Sequence, residues 1–179
     1  QYHTKRADDK ATLVTSASTK NDGWTQTGST IEVVDSVGID IDTVGTSGTN
    51  KVRHLIGTTL SDTEWVCRFK LNHKDSGGAE SPILALCKTD TTGDDFWSNA
   101  IMVYANSSGS DPAELSATYY SSSANGQSSS ITLVDGTTYY VELIRTASDN
   151  VTISVFTGSD YSTGQVGSTQ AVNSSNITG

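Results

Sequence analysis

Several features common in globular and membrane proteins are scarce in this 179-residue sequence. It has two prolines and 16 glycines without a collagen-like repeat, which excludes proline-rich and collagen-like classes. No apolar run approaches the ~18 residues that a membrane-spanning helix requires. Only five glutamates occur, and lysine and leucine, the residues typical of surface helices, are also few. The sequence therefore predicts neither a helical protein nor membrane insertion.

Positive charge is nearly absent from the second half of the chain. The formal net charge is −9 at pH 7, and Arg145 is the only basic residue among residues 89–179, against nine acidic ones. A nucleic-acid-binding face needs clustered lysine and arginine. We therefore expect no nucleic-acid partner.

Cysteine is limited to Cys67 and Cys87, too few for a zinc site by themselves. A disulfide between them would close a loop of about 20 residues and contribute about 3 kcal/mol in the chain-entropy model. Two buried thiols acting as small apolar groups are the alternative. Both cysteines fall in predicted strands, so a disulfide requires those strands to be neighbours.

Serine and threonine are abundant, with 26 of each among the 179 residues. This composition favours an all-β extracellular protein, either secreted or exposed on a cell or virion surface. The first ten residues are polar and contain no apolar signal-peptide core, so we interpret the chain as a mature or excised segment. Residues 1–12 are expected to form a polar tail and residues 13–179 a single domain.

Candidate sites for N-glycosylation follow from the Asn-x-Ser/Thr pattern. Asn150 is the strongest candidate because it lies in a predicted turn. The four sequon asparagines are Asn106, Asn150, Asn173 and Asn176.

Alternation of apolar and polar residues with a period of two indicates strands throughout the chain. In EWVCRFKL, Trp65, Cys67, Phe69 and Leu71 share one face, as expected for a strand with one side in a core. The segment 137–156 predicts a hairpin around the turn ASDN.

Other segments complete the prediction of an all-β, two-sheet antiparallel jelly-roll sandwich. PILALCKT (82–89) is apolar on both faces and is expected to be a central strand, whereas the polar stretch 121–130 is expected to be a mobile loop. The remaining predicted strands are AIMVYA (100–105), ELSATYY (114–120), WTQT (24–27), TIEVV (30–34), GIDIDT (38–43) and KVRHLI (51–56).

Two segments together, TLSDTEWVCRFKL (59–71) and GTTYYVELIRTASDNVTISVF (136–156), resemble a known family. They are similar to the concanavalin A-like lectin/glucanase (LamG-type) jelly rolls of microbial surface and secreted proteins. The opening DGWTQTGSTIEV (22–33) fits the first strands of such domains, so the resemblance covers residues 20–179. It implies the same jelly-roll fold.

The resemblance also implies an open sheet edge. In that family a further strand follows the position of residues 176–179, where this sequence stops. The edge would be completed by a strand outside this segment or by one donated from a neighbouring copy, which would build a polymer.

Catalysis is not expected, although the family includes glucanases with a paired-carboxylate motif, E-x-D-x-x-E. None of the five glutamates lies in such a motif, and Glu142 is flanked by Val141 and Leu143. The three histidines are widely separated, and no G-x-S-x-G occurs. We therefore predict that the protein is not an enzyme.

Calcium is a candidate cofactor because hard oxygen ligands cluster in KTDTTGDDFWSN (88–99). Asp40 and Asp42, on one face of a predicted strand, are a weaker pair. Solvated turn acids are the alternative for both groups. The candidate ligands in the acidic loop are Asp90, Asp94, Asp95 and Asn99.

Carbohydrate binding needs exposed aromatic rings with fixed polar groups beside them. Trp97 in the acidic loop is the leading candidate, and Tyr161 is a further one; the other candidate ligand-binding residues are Tyr104, Tyr119 and Tyr120. We therefore predict a non-catalytic recognition or adhesion module for carbohydrate. A structural subunit of a filament, surface coat or virion, with neighbouring copies as partners, is the alternative.

Overall fold

The described part of the chain is entirely β. A computed structural model describes residues 24–27, 31–34, 38–41, 51–54, 61–72, 81–87, 99–106, 113–121 and 125–173. Within these ranges the regular elements are all strands, and no helix could cross a membrane. The all-β prediction is confirmed, whereas the proposed tail at residues 1–12 lies outside the described residues.

Each segment predicted as a strand contains one. The strands are β1 (Trp24–Thr27), β2 (Ile31–Val34), β3 (Gly38–Ile41), β4 (Lys51–His54), β5 (Trp65–Asn72), β6 (Ser81–Cys87), β7 (Asn99–Asn106), β8 (Glu114–Ser121), β9 (Asn125–Gln127), β10 (Ile131–Thr132), β11 (Thr138–Ala147), β12 (Asn150–Phe156) and β13 (Gln170–Asn173).

Two larger antiparallel sheets organise these strands. One has four strands in the order β13-β12-β11-β5, and the other has the order β10-β8-β7-β6, with β9 also pairing with β8. The chain leaves the four-stranded sheet after β5, builds the five-stranded sheet, and returns as β11 beside β5. Two small sheets, β1-β4 and β2-β3, come from the N-terminal strands.

The core lies between the inner faces of the two larger sheets, as in a β-sandwich. Odd-numbered residues of β7 and β8, such as Val103 and Leu115, meet odd-numbered residues of β11 and β12, such as Leu143 and Ile153. Trp65 is buried there as predicted, and the other three apolar residues of its face pack against the same core.

The predicted hairpin and the position of its turn are confirmed. Leu143 pairs with Ile153, and the turn at Ser148 follows a register shift after Arg145. The buried Arg145 guanidinium donates through Nη2 to the Ser148 carbonyl at 2.9 Å and through Nε to the Ala147 carbonyl at 3.3 Å. Burial lowers the pKa of Arg145, and the negative charge of Asp62 opposes that shift. This buried cation therefore anchors the end of the hairpin.

A buried tyrosine fixes the chain where it enters β11. The Val134 N–H donates to the Tyr139 hydroxyl at 2.7 Å. A tyrosine hydroxyl bonded to the backbone a few residues upstream is a recurring anchor in β-sandwiches. The contact sets the position at which β11 begins.

The prediction of a mobile loop over residues 121–130 is wrong for its described part. Asn125–Gln127 forms β9 against β8, and the next residue, Ser128, is buried. The Ser128 N–H donates to the Ala117 carbonyl at 2.8 Å, and the Ala117 N–H donates to the Ser128 hydroxyl at 3.0 Å. These bonds to a neighbouring strand override the low strand propensity of the segment.

The two cysteines form no disulfide, and the alternative of two buried thiols is wrong for Cys87, which is exposed. Cys67 lies on β5 and packs against the core, whereas Cys87 lies on β6 in the other sheet and is exposed. The strands are not neighbours, so the condition for a disulfide is not met. Among the described strands β6 pairs only with β7, and its predicted central position is therefore not observed.

The outer face of the five-stranded sheet contains an unusual buried hydroxyl. Met102 and Thr118 face each other there and are 0% and 5% exposed. Neighbouring Ser116 accepts a 2.7 Å hydrogen bond from the Gln127 amide, whereas Thr118 Oγ1 has no hydrogen-bond partner in the described part of the chain. A buried polar atom without a partner destabilises the fold.

Replacing Thr118 with valine keeps the shape and removes the unpartnered hydroxyl. We expect Thr118→Val to raise the free energy of unfolding by about 1 kcal/mol, measured by urea denaturation. The matched control, Ser116→Ala, removes a hydroxyl that has a partner and should lower it by about 1 kcal/mol. If both variants lower the free energy of unfolding, the Thr118 hydroxyl has a hydrogen-bond partner and the expectation is wrong.

Candidate functional site

The predicted calcium loop and its tryptophan cannot be placed. Asp90, Asp94, Asp95 and Trp97 lie outside the described residues, and Asn99 is described only by its backbone pairing with Ser121. Within the described ranges, no three histidine, cysteine, aspartate or glutamate residues come together as a metal site.

The weaker calcium pair is likewise not placed. Asp40 lies in β3 and pairs through its backbone with Glu32, whereas Asp42 lies outside the described residues. Calcium binding by this pair therefore stays a prediction.

The three tyrosines predicted to bind a ligand do not share one surface. Successive residues of a strand point to opposite faces. Tyr119 therefore points inward, 5% exposed in the core, while Tyr120 is half-buried on the outer face of the sheet. Tyr104, opposite Ser116, is on that outer face as well. Only Tyr104 and Tyr120 could contact the same ligand.

Two of the four sequon asparagines lie side by side. Asn150 and Asn173 are opposite each other on β12 and β13, and the Asn150 amide donates a hydrogen bond to Asn173 Oδ1. The Thr146 hydroxyl donates to Asn150 Oδ1 at 2.9 Å. Asn106 ends β7, and Asn176 lies outside the described residues.

A different group of side chains forms the most developed polar site of the described residues. It lies on the outer face of the four-stranded sheet, and we name it the Arg68 cluster: Arg68, Tyr140, Glu142 and Tyr161. Arg68 on β5 is directly opposite Glu142 on β11, and their odd-numbered neighbours point into the core. The alternation that builds the core therefore brings these polar side chains together outside it.

The ion pair in the Arg68 cluster uses only part of each charged group. Arg68 Nε and Nη2 lie 2.6 and 2.5 Å from the same oxygen, Glu142 Oε2. The side chains are 29% and 10% exposed, so solvent still reaches the guanidinium. Neither Glu142 Oε1 nor Arg68 Nη1 has a hydrogen-bond partner among the described residues. The sheet therefore holds in one cluster a donor and an acceptor that the described residues do not use.

Tyr161 contributes an aromatic ring to the cluster. The Arg68 Cζ atom lies 4.9 Å from the centroid of the Tyr161 ring, and Tyr140 meets that ring edge-to-face at 5.7 Å. Partial burial raises the pKa of Tyr161. The backbone of Tyr161 has φ 55°, a left-handed conformation that is uncommon for a bulky residue. Such strain persists only where the surroundings hold it, and it is often found at functional sites.

The loop between β12 and β13 holds Tyr161 in this strained position. The Asp160 carboxylate accepts four hydrogen bonds from Ser162 and Thr163, two of them from backbone N–H groups at 3.1 and 3.0 Å. The base of the loop is closed by the Thr157 N–H, which donates to the Gly164 carbonyl at 3.0 Å. These bonds hold the pKa of Asp160 well below its usual range.

Sequence reasoning missed the centre of this site. It named Tyr161 as one of several aromatic candidates, but it gave no role to Arg68 and considered Glu142 only as a catalytic residue. These two are 74 positions apart, and only the pairing of β5 with β11 brings them together. The sequence contained one indication of the site: both residues are charged and lie at outward-facing positions of strongly apolar strands.

Comparison with known proteins adds no further assignment. The sequence matches no protein-family model and no curated protein, and the fold matches no solved structure.

The Asp160 hydrogen bonds make the loop sensitive to acid. Because folding depresses the pKa of this carboxyl, its stabilisation is complete above the unfolded value of about 3.9 and is lost as the pH falls toward the lower folded value. We expect Asp160→Ala to be less stable than the wild type at pH 6 and the difference to shrink between pH 4 and pH 2.

Thermal unfolding of both proteins across this pH range measures that difference. The variant Ser159→Ala provides a control, because it changes the same exposed loop without removing a carboxylate. A difference between wild type and Asp160→Ala that does not change with pH would contradict this account of the loop.

Proposed function

We propose that the protein is a non-catalytic carbohydrate-recognition module of an extracellular or cell-surface protein, and that the Arg68 cluster is its sugar site. The observation that carries the proposal is that Glu142 Oε1 and Arg68 Nη1, held in one cluster with the Tyr161 ring, have no hydrogen-bond partner among the described residues.

Sugars present the groups that this arrangement can bind. A sugar hydroxyl both donates and accepts hydrogen bonds, so the hydroxyls of one sugar can donate a hydrogen bond to Glu142 and accept one from Arg68. The apolar face of a sugar ring can pack on an aromatic side chain, here Tyr161. Sites for small ligands typically combine an aromatic surface with a small number of polar groups in fixed positions.

The site is also held in place before any ligand arrives. Arg68 and Glu142 stand on paired strands, and Tyr161 is fixed by the hydrogen bonds of its loop. A ligand that binds such a site orders few side chains, so less binding free energy is lost to conformational entropy.

Three finer points belong to the same proposal. The antiparallel sandwich is proposed to be a jelly roll of the concanavalin A-like kind, supported by the resemblance and by the return of β11 to β5. The module is proposed to be non-catalytic because no glutamate lies in a paired-carboxylate motif. Calcium at Asp90, Asp94, Asp95 and Asn99 is proposed to assist binding, which a chelator can test.

Removal of the Tyr161 ring should abolish sugar binding without harming the fold. Asparagine tolerates a positive φ better than tyrosine, so Tyr161→Asn should fold at least as well as the wild type. We expect the affinity of Tyr161→Asn for the glycans that the wild type binds to fall about tenfold or more. Tyr161→Phe should keep most of the wild-type affinity. Because Tyr161→Asn creates an Asn-x-Thr sequon with Ser162 and Thr163, all variants are produced in a host without N-glycosylation. A glycan array, followed by calorimetry with calcium and with chelator, measures the affinities.

Tyr104→Ala is the matched control, because Tyr104 is a half-buried tyrosine on the other sheet. It should leave glycan binding unchanged. Loss of binding in Trp97→Ala but not in Tyr161→Asn would move the site to the acidic loop. Absence of any glycan binding, together with ordered filaments in electron micrographs, would favour the structural-subunit alternative.

A further inference from the structure

The Arg68 guanidinium presents a second hydrogen-bonding edge that the protein does not use. The group is planar, and its five N–H donors point in fixed directions. Glu142 occupies the edge formed by Nε and Nη2, while the edge formed by Nη1 and the second N–H of Nη2 has no hydrogen-bond partner among the described residues. The Tyr161 ring lies 4.9 Å from the Cζ atom of this group and contributes no hydrogen bond to it.

A second cation lies on the same face of β5 as Arg68. Lys70 follows Arg68 two positions along β5, so it lies on the same face at a distance of about 7 Å. It is exposed, and no described residue pairs with its ammonium group. Lys70 is directly opposite Tyr140, which places it at the border of the Arg68 cluster.

The local charge balance therefore differs from that of the whole chain. The chain carries a net charge of −9, yet among the described residues of this sheet surface Arg68 and Lys70 face a single carboxylate, that of Glu142. Asp160 is nearby in sequence to Tyr161, but its oxygens are bound by Ser162 and Thr163. One further negative charge would balance the two cations.

We infer that the sugar recognised by the Arg68 cluster carries a carboxylate, as a uronic acid does, and that this carboxylate binds the open edge of Arg68 with Lys70 beside it. This inference rests on the proposed carbohydrate-binding function. A planar carboxylate matches the two parallel N–H groups of a guanidinium edge, which gives both strength and orientation.

Matched pairs of ligands test the inference. Oligosaccharides of galacturonic, glucuronic and mannuronic acid are each compared by calorimetry with the same oligosaccharide whose carboxylates have been reduced to alcohols. For at least one pair, the acid should bind about tenfold more tightly than its reduced counterpart, because a hydrogen bond between charged groups changes affinity by about that factor. The ratio should fall as salt is raised from 0.05 to 0.5 M.

Two substitutions separate recognition of the acid from folding. Arg68→Lys keeps a positive charge beside Glu142 but loses the planar edge, so the preference for the acid should fall about tenfold. Glu142→Gln keeps Arg68 and removes the neighbouring negative charge, so affinity for the acid should rise. A purely structural role of the ion pair would predict weaker binding in both variants. Circular dichroism confirms that each variant is folded.

The outcomes distinguish this inference from the function on which it rests. Equal binding of acid and reduced sugar, both lost in Tyr161→Asn, would overturn the inference and leave the carbohydrate site in place. Tighter binding of a sulfated oligosaccharide than of every uronic acid would overturn the carboxylate assignment. Failure of all sugars to bind would overturn the proposed function and this inference together.

Discussion

The pairing of β11 with β5 is the constraint on which both the core and the site depend. It joins two parts of the chain that are separated by the whole five-stranded sheet. In the observed register, Val141 faces Phe69 toward the core and Glu142 faces Arg68 toward solvent. A shift of β5 by one residue would exchange its two faces and turn Arg68 toward the apolar core while Glu142 stayed outside, and an unpaired buried charge is costly. Packing of the core therefore holds the site in register.

Alternation in the sequence predicted most of the strands because half-buried strands must expose every second side chain. It could not predict β9, since Asn125–Gln127 is polar and becomes a strand only through its bonds to β8. The cysteine pair shows the same limit, because sequence spacing does not indicate that β5 and β6 belong to different sheets.

The candidate site was harder to predict from the sequence than the fold. Its aromatic residue could be named from composition, but the conformation of Tyr161 depends on hydrogen bonds made by Asp160 across a short loop. Its charged residues come from strands distant in sequence, and no local motif connects Arg68 with Glu142. Binding sites made from several strands are visible only once the register between those strands is known.

The contact between Asn150 and Asn173 links glycosylation to the edge of the four-stranded sheet. Asn173 ends β13, which is the last strand of that sheet among those described. A sugar chain on Asn173 would stand along the border where an incoming strand would have to pair. A glycan attached to Asn173 would therefore hinder another strand from pairing with β13.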